Sequence, residues 1–386
     1  MTSRERIFTV LKGEIPDCVP VCPDISNMVP CRLTGKPFWD IYLYQNPPLW
    51  KAHIDAVKYF GFDGIQDGYA EITTEIDGVE CGMWGPVDKS FIEVIVKRTP
   101  DRIITQHYRE ENGGKVWNER VTVYYIDNPP TWGVRPEALG LPKIPGSFEE
   151  IKGVKQWPKG GELLKLIKEE MGDHGVVGIY CGTTCLISND EEVLDFYDNP
   201  EKYYEKRDNL LIHLEKRFYS LMEFEYKPDF IAMGYSGSLI FQTLQTFREL
   251  GLPILKKISA LCKEYGIPSH VHSCGPEAQL VKIAAEETDL TVIDPLEIPP
   301  MGNCDLAQLK KDFGDKIVLK GNLHTTNIML NGAPGDVEAA SKQAIDDAAA
   351  GGRFILSTGD QCGRDTPDEN IFTMIKTART YGRYDK

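Results

Sequence analysis

A histidine and a cysteine two residues apart, His272 and Cys274 in the run SHVHSCGP, are the residues of this 386-residue sequence whose types and spacing most directly suggest chemistry. On an extended strand, residues i and i+2 point to the same face, so an imidazole nitrogen and a thiolate sulfur can converge on one ion. That donor pair favours zinc over magnesium or calcium, which prefer oxygen. The same spacing also arises where a buried cysteine lies beside a hydrogen-bonded histidine, and the pair alone leaves both readings open. A thiolate from Cys362 and a carboxylate from Glu297 would complete a four-ligand site if the fold carries them to the same place.

Convergence of that kind requires strands that end together. Eight short, β-branched runs alternate with amphipathic stretches, at residues 17–23, 62–69, 176–182, 229–236, 269–274, 290–297, 316–322 and 353–359. Alternation of this type marks an α/β fold with a parallel sheet. Eight strands are what a closed (β/α)8 TIM barrel needs, with a doubly wound open sheet as the alternative. Helices are expected at 191–225, 245–265, 335–350 and 367–381, the last opened by a proline in its first turn. The expectation is a single barrel domain over residues 1–386.

Between about 75 and 143 the rhythm breaks. This stretch is rich in Thr, Val, Ile, Tyr and Trp, with Asn112-Gly113-Gly114 between two alternating runs. It predicts a β-hairpin inserted after the second strand, either an edge decoration or a structure that covers substrate or receives a partner.

In a parallel barrel the active site lies at the carboxyl ends of the strands, so polar residues there are read as functional first. The strand ends supply Asp67 and Tyr69, then Tyr180, then Tyr235 and Ser236, and these five are the expected substrate contacts. Further ends bring His270 to Gly275, Glu297, Asn322 with His324, and Asp360 with Cys362. Cys262 and Cys304 are expected to be structural, and Cys18 and Cys22 to pack inside the barrel. Cys181 and Cys185 could form a second clamp, but no histidine is near them in sequence.

Composition narrows the function classes. Lys and Arg number 43 against 58 Asp and Glu, a net charge of −15 with no basic stripe, which argues against nucleic acid. No stretch approaches the roughly 18 apolar residues of a membrane span, and the start MTSRERIFTVLKGE lacks the apolar core of a secretion signal. A cytoplasmic protein with its ten cysteines reduced is expected.

Several segments carry a family likeness: SRERIFTVLKGEIPDCVPV, FRELGLPILKKISALCKEYGIPSHVHSCGP, DLAQLKKDFGDKIVLKGNLHTTNIMLNGAPGDVE and DTPDENIFTMI. They resemble the uroporphyrinogen decarboxylase superfamily and, within it, the zinc-dependent, corrinoid-linked methyltransferases. The resemblance implies a (β/α)8 barrel with zinc held by His272, Cys274 and Cys362, and with Glu297 as a displaceable fourth ligand. It adds His324, in GNLHTT, as a pocket residue with a catalytic part alongside Glu297. The amino-terminal PVCPDISNMVPCRLTG lacks the arginine pair that the haem-pathway decarboxylases use for a polycarboxylate, which disfavours decarboxylation.

What the resemblance implies, then, is a methyl group moved from a small methylated substrate to the reduced cobalt of a corrinoid (cobalamin). A methoxylated aromatic undergoing O-demethylation is the expected donor, with Trp84, Tyr180 and Tyr235 lining its pocket. The chain lacks the Asp-x-His-x-x-Gly motif of corrinoid carriers, so a separate corrinoid protein is the expected partner. The alternatives are a coenzyme M type transfer from methylated corrinoid to a thiol, and a non-catalytic binder of corrinoid or metal. A homodimer is left open.

Overall fold

The computed structural model describes residues 1–234 and 237–384, so the expected substrate contacts Tyr235 and Ser236 lie outside the described residues. In chain order, β1 (Gly64–Gln66) opens the parallel sheet, and the chain then leaves it. Strands β2 (Thr74–Ile76), β3 (Val79–Gly82) and β4 (Gly85–Pro86) make a three-stranded antiparallel sheet. Strands β5 (Ile92–Arg98), β6 (Arg102–Glu111), β7 (Gly114–Tyr125), β8 (Thr131–Val134) and β9 (Glu149–Glu150) make a second, ordered β8-β7-β6-β5-β9. The chain then returns to parallel pairing through β10 (Gly175–Tyr180), β11 (Phe230–Gly234), β12 (Ser269–His272), β13 (Val292–Asp294), β14 (Val318–Leu323) and β15 (Phe354–Thr358).

The inserted segment is thus larger than a hairpin. Strands β6 and β7 do pair across Asn112 (φ 51°) and Gly113 (φ 78°), the two left-handed residues that a tight turn between twisted strands demands. A second reversal at Thr99-Pro100-Asp101 pairs β5 with β6, and its signal, a proline followed by an aspartate, is a turn signature without glycine. The fully buried guanidinium of Arg217 binds the insertion to the rest of the chain by donating to the carbonyls of Ile72 (2.7 Å) and Cys81 (3.3 Å).

Seven strands form one curled parallel sheet in the order β1-β10-β11-β12-β13-β14-β15, five inside an expected run and two, β10 and β14, overrunning theirs by one residue. The remaining run, 17–23, is not a regular strand. Its Val21 makes an isolated parallel bridge to Leu356 of β15, while Val21 O accepts from the Asp63 amide (2.8 Å) just ahead of β1. The segment therefore lies between the two edges of the sheet. Pro20 and Pro23 have no N–H to give, which keeps the ladder from extending. From below, Ile7 and Leu11 of the helix Ser3–Leu11 meet Ile65, Val176, Phe230, Val292 and Ile355, side chains from five strands that include both sheet edges. The helix expected over 191–225 divides into Asp190–Asp198 and Pro200–Met222, because Pro200 cannot continue the preceding ladder and instead starts a new helix. Among the described residues no helix is long and apolar enough to cross a membrane.

One buried carboxylate joins the two ends of the chain at the floor of the sheet. Asp63 takes Arg6 (2.7 Å), Arg379 (2.8 and 2.9 Å) and the Val21 amide (2.8 Å), so it ties the first helix, the last helix and segment 17–23 to β1. Removing Asp63 leaves Arg379 without its carboxylate and the Val21 amide without its acceptor, while Arg6 keeps Asp17, and breaking such a buried pair costs about 3–5 kcal/mol. Asp63→Ala is therefore expected to lower unfolding stability by that amount in denaturant titrations, and a loss under about 1 kcal/mol would show that the network is not what joins the ends.

Candidate metal centre

The register of the sheet builds the site. β12 pairs with β13 so that His272 stands opposite Asp294, and His270 lies two residues back on the same face. Gly234 pairs with His272 on the other side, and a side chain there would overlap the His272 carbonyl, so only glycine lets β11 approach this closely. Asp294 Oδ1 accepts from His272 Nδ1 (3.1 Å) and from His270 Nε2 (3.0 Å), while Oδ2 pairs with Lys320 of β14. With Nδ1 occupied in this way, His272 presents Nε2 to the open end of the sheet. Cys274 Sγ lies 3.2 Å from that nitrogen, and Asp360 Oδ1, in the loop after β15, lies 3.8 Å from it. The nitrogen, the sulfur and the carboxylate oxygen all fall within 4.8 Å of one another.

Two features of Asp360 are those of a ligand. It holds φ at 117°, a conformation costly for any residue but glycine, and its Oδ1 is buried without a hydrogen-bond partner. Strain and an unpaired buried oxygen persist together when something else repays them, and a cation would. Behind the donors stands the arrangement common to histidine ligands, a carboxylate holding the far ring nitrogen. One nitrogen, one sulfur and one oxygen donor, with a histidine so oriented, fit a divalent ion of zinc type.

The electrostatics follow from burial and pairing. Burial alone would raise Asp294, but Lys320, His270 and His272 outweigh it and hold the carboxyl far below its usual range. Burial would push both histidines down, and the Asp294 carboxylate reverses this and raises them, with Asp67 assisting at His270. Burial raises the Cys274 thiol, His272 pulls it back, and Asp360 adds to the rise.

His272 and Cys274 come together as expected, and the third place in the cluster belongs to Asp360 rather than Cys362. Cys362 is fully buried, its amide donates to the Asp24 carbonyl (2.8 Å), and burial with the Asp24 charge pushes its thiol up to about 12. Glu297 is close by, but its Oε2 accepts from the Gly275 amide, so it holds the Cys274 turn and stands outside the cluster. His324 also stands outside it. Its Nδ1 accepts from the amides of Thr326 and Asn327 (3.1 Å each) and caps the short helical segment Thr325–Leu330.

Of the expected substrate contacts, Asp67 and Tyr180 border the centre. Asp67 Oδ2 lies 3.3 Å from His270 Nδ1 without hydrogen-bond alignment. Tyr180 feels the charges of Asp67, Asp294, Asp24 and Cys274, which add to burial and raise its phenol well above its ordinary value. Tyr69 is raised likewise by burial, Asp24 and Asp67, and its ring stacks on His53 at 4.1 Å. Both phenols stay protonated, and the Tyr69 hydroxyl already donates to the Ser26 carbonyl (3.4 Å). Trp84, expected in the pocket, is 63% exposed in the loop between β3 and β4.

Sequence reasoning missed Asp294, Lys320 and the place of Asp360 in the cluster. A signal existed for the first: Pro295 cannot donate to the ladder, so the strand stops at Asp294 and not at Glu297.

The chain resembles known proteins over the part that holds this centre. Residues 238–381 match the uroporphyrinogen decarboxylase (URO-D) family, a span that includes His272, Cys274, Asp294, Lys320, Asp360 and Cys362. Two curated relatives, from Methanosarcina mazei and Methanosarcina acetivorans, are both named methylcobamide:CoM methyltransferase MtbA. They are 28% and 27% identical over 137 and 135 residues, 35% of this chain, and the match spans only 37% of each relative's length. A solved structure described as a methyltransferase from Methanosarcina mazei superposes over 99% of both chains with a TM-score of 0.58 at 16% identity, which shows a shared fold. The likeness to the corrinoid methyltransferase branch read from the sequence is borne out.

Asp294→Asn is expected to weaken binding of cobalt(II) or zinc to folded protein roughly 10–100-fold, the usual effect of removing the group that orients a histidine ligand. Chelator competition measures it, and an unchanged affinity would mean that Asp294 does not orient His272.

Proposed function

We propose that this chain is a zinc-dependent methyltransferase that moves a methyl group from a small methylated substrate to the reduced cobalt of a corrinoid carried by a separate protein. The observation that carries the proposal is the cluster of His272 Nε2, Cys274 Sγ and the Asp360 carboxylate, whose far side is fixed by Asp294. In this reading the sheet and segment 17–23 together form an eight-staved barrel, and the cluster lies at its mouth, where a corrinoid-bearing partner can reach it. Cys362 and Glu297 are further ligands by resemblance, and His324 is a pocket residue by resemblance.

Zinc bound there would act as a Lewis acid on the heteroatom that carries the methyl group, stabilising the charge that builds as the bond breaks. The chain's own groups do the rest. Asp294 keeps His272 in one tautomer and orientation, with Lys320 balancing the carboxylate charge. Tyr180 remains a neutral donor that can orient a substrate oxygen, Tyr69 is anchored to the Ser26 carbonyl beside it, and Asp67 with His270 forms a polar wall. A methoxylated aromatic is the donor class we assign to this pocket, and the cytoplasm is the compartment.

A second reading, transfer from methylated corrinoid to a thiol, is favoured by the printed names of the two curated relatives. One assay separates the readings. Reduced corrinoid carrier is mixed with aryl methyl ethers, methylamines or methyl thioethers, and methylated carrier with thiols, while corrinoid absorbance is followed. Transfer from an aryl methyl ether that disappears in His272→Ala and Cys274→Ala is the expected result. Demethylation of methylated carrier by a thiol alone selects the second reading, and normal turnover in a metal-free variant contradicts both.

A further inference from the structure

The strand that carries His272 ends there, so Cys274 sits in a turn, and something other than a sheet ladder must hold its sulfur in place. On one side of the turn, Ser273 N donates to Asp294 O (2.8 Å), and Ser273 Oγ accepts from the Ser238 amide (2.8 Å). On the other side, Glu277 Oε1 accepts from the Leu239 amide (2.9 Å), and the Glu277 amide donates back to Gly275 O (2.9 Å). The turn after β12 is thereby pinned to the loop after β11. That loop is pinned in turn to the loop after β10, through Thr184 Oγ1 with Ser238 Oγ (2.6 Å) and through Gln242 Nε2 with Thr184 O (3.0 Å) and Ser238 O (2.7 Å).

Every side chain in this network is nearly inaccessible: Thr184 and Ser238 at 0%, Ser273 at 1%, Glu277 at 2% and Gln242 at 3%. Glu277 is its one acid, and its Oε2 is buried with no hydrogen-bond partner. A carboxylate is an expensive group to bury where a serine or glutamine would also bridge loops. The titratable groups that face it are Glu297, Cys185 and Cys304, none of them cationic, and the Ser273 hydroxyl and Ser238 amide stand beside the Leu239 amide. Burial lifts its carboxyl to about 7 against the pull of the Leu239 amide.

We propose that Glu277 is a positioning residue for the metal centre: by bonding the Leu239 amide, it holds the 273–277 turn so that the Cys274 sulfur faces His272 Nε2 before any ion arrives. The inference rests on the metal-centre reading above and adds to it the element that preorganises its sulfur donor. Tight binding needs donors already in place, and a turn free to swing would spend binding energy on ordering itself.

The test is cobalt(II) affinity by chelator competition, together with the thiolate-to-cobalt charge-transfer band, for the full chain and for Glu277→Gln, Glu277→Asp and Glu277→Ala. Glu277→Gln keeps an acceptor at full reach and should bind within about threefold of wild type with the same band. Glu277→Asp is shorter by one methylene and cannot span to Leu239, so its affinity should fall tenfold or more with a weakened band, as when outer groups of a metal site are lost. Glu277→Ala should behave at least as badly, and should it fail to fold, the aspartate variant carries the test. A merely structural role would lower the melting temperature of the ion-free variants and leave affinity and band unchanged in the folded fraction. That result overturns the inference. Failure of the wild-type chain to bind cobalt(II) or zinc overturns the metal-centre reading and this inference with it, whereas wild-type binding matched by Glu277→Asp overturns this inference alone.

Discussion

A single carboxylate, Asp294, holds two histidines and a lysine at once while only 2% exposed, and the geometry of the centre depends on it. An isolated charge at that depth would be neutralised or expelled. Lys320, itself almost inaccessible, makes the charge tolerable, and the charge in turn fixes two imidazoles. The other nitrogen of His272 is thereby turned toward Cys274 and Asp360. Without Asp294 the ring could flip, and the 3.2 Å approach to Cys274 would be one arrangement among several.

Seen from that carboxylate, the fold is a means of placing strand ends. Strand β12 brings the histidines, β13 the acid, β14 the lysine, and the loop beyond β15 brings Asp360. Each comes from a different stave of one parallel sheet, and none is near another in sequence apart from the His-x-Cys pair. At the opposite end, Asp63 performs a similar function for the scaffold, joining both chain termini to the floor. Two buried carboxylates thus bracket the sheet, one joining the scaffold and one ordering the His272 cluster.

Much of this was legible beforehand, and the exceptions have physical causes. The alternation of β-branched runs with amphipathic stretches located all seven parallel strands, because fully buried strands read as short apolar runs. It did not show that segment 17–23 would be too interrupted by prolines to form a ladder. The spacing of His272 and Cys274 was informative because extended backbone puts i and i+2 on one face. Choosing the acid was harder: it depends on where a strand stops and how a loop turns, and neither the Pro295 stop nor the strained backbone of Asp360 belongs to the hydrophobic pattern. The antiparallel insertion showed one turn through its Asn112-Gly113 step; the Asp77-Gly78 step between β2 and β3 carries an equally strong turn signal that was passed over, while the Thr99-Pro100-Asp101 reversal is less distinctive. The family match covers 238–381, the span that carries the cluster, while Asp67, Tyr69, Tyr180 and the insertion lie outside it.

The central claim is that sulfur and nitrogen from this one sheet end bind the same ion. Zinc K-edge X-ray absorption of the purified, zinc-loaded chain tests it most directly. The account predicts a mixed first shell, with nitrogen or oxygen at about 2.0–2.1 Å and at least one sulfur at about 2.3 Å. A shell of oxygen and nitrogen alone, or a protein that retains no zinc after dialysis, would contradict it.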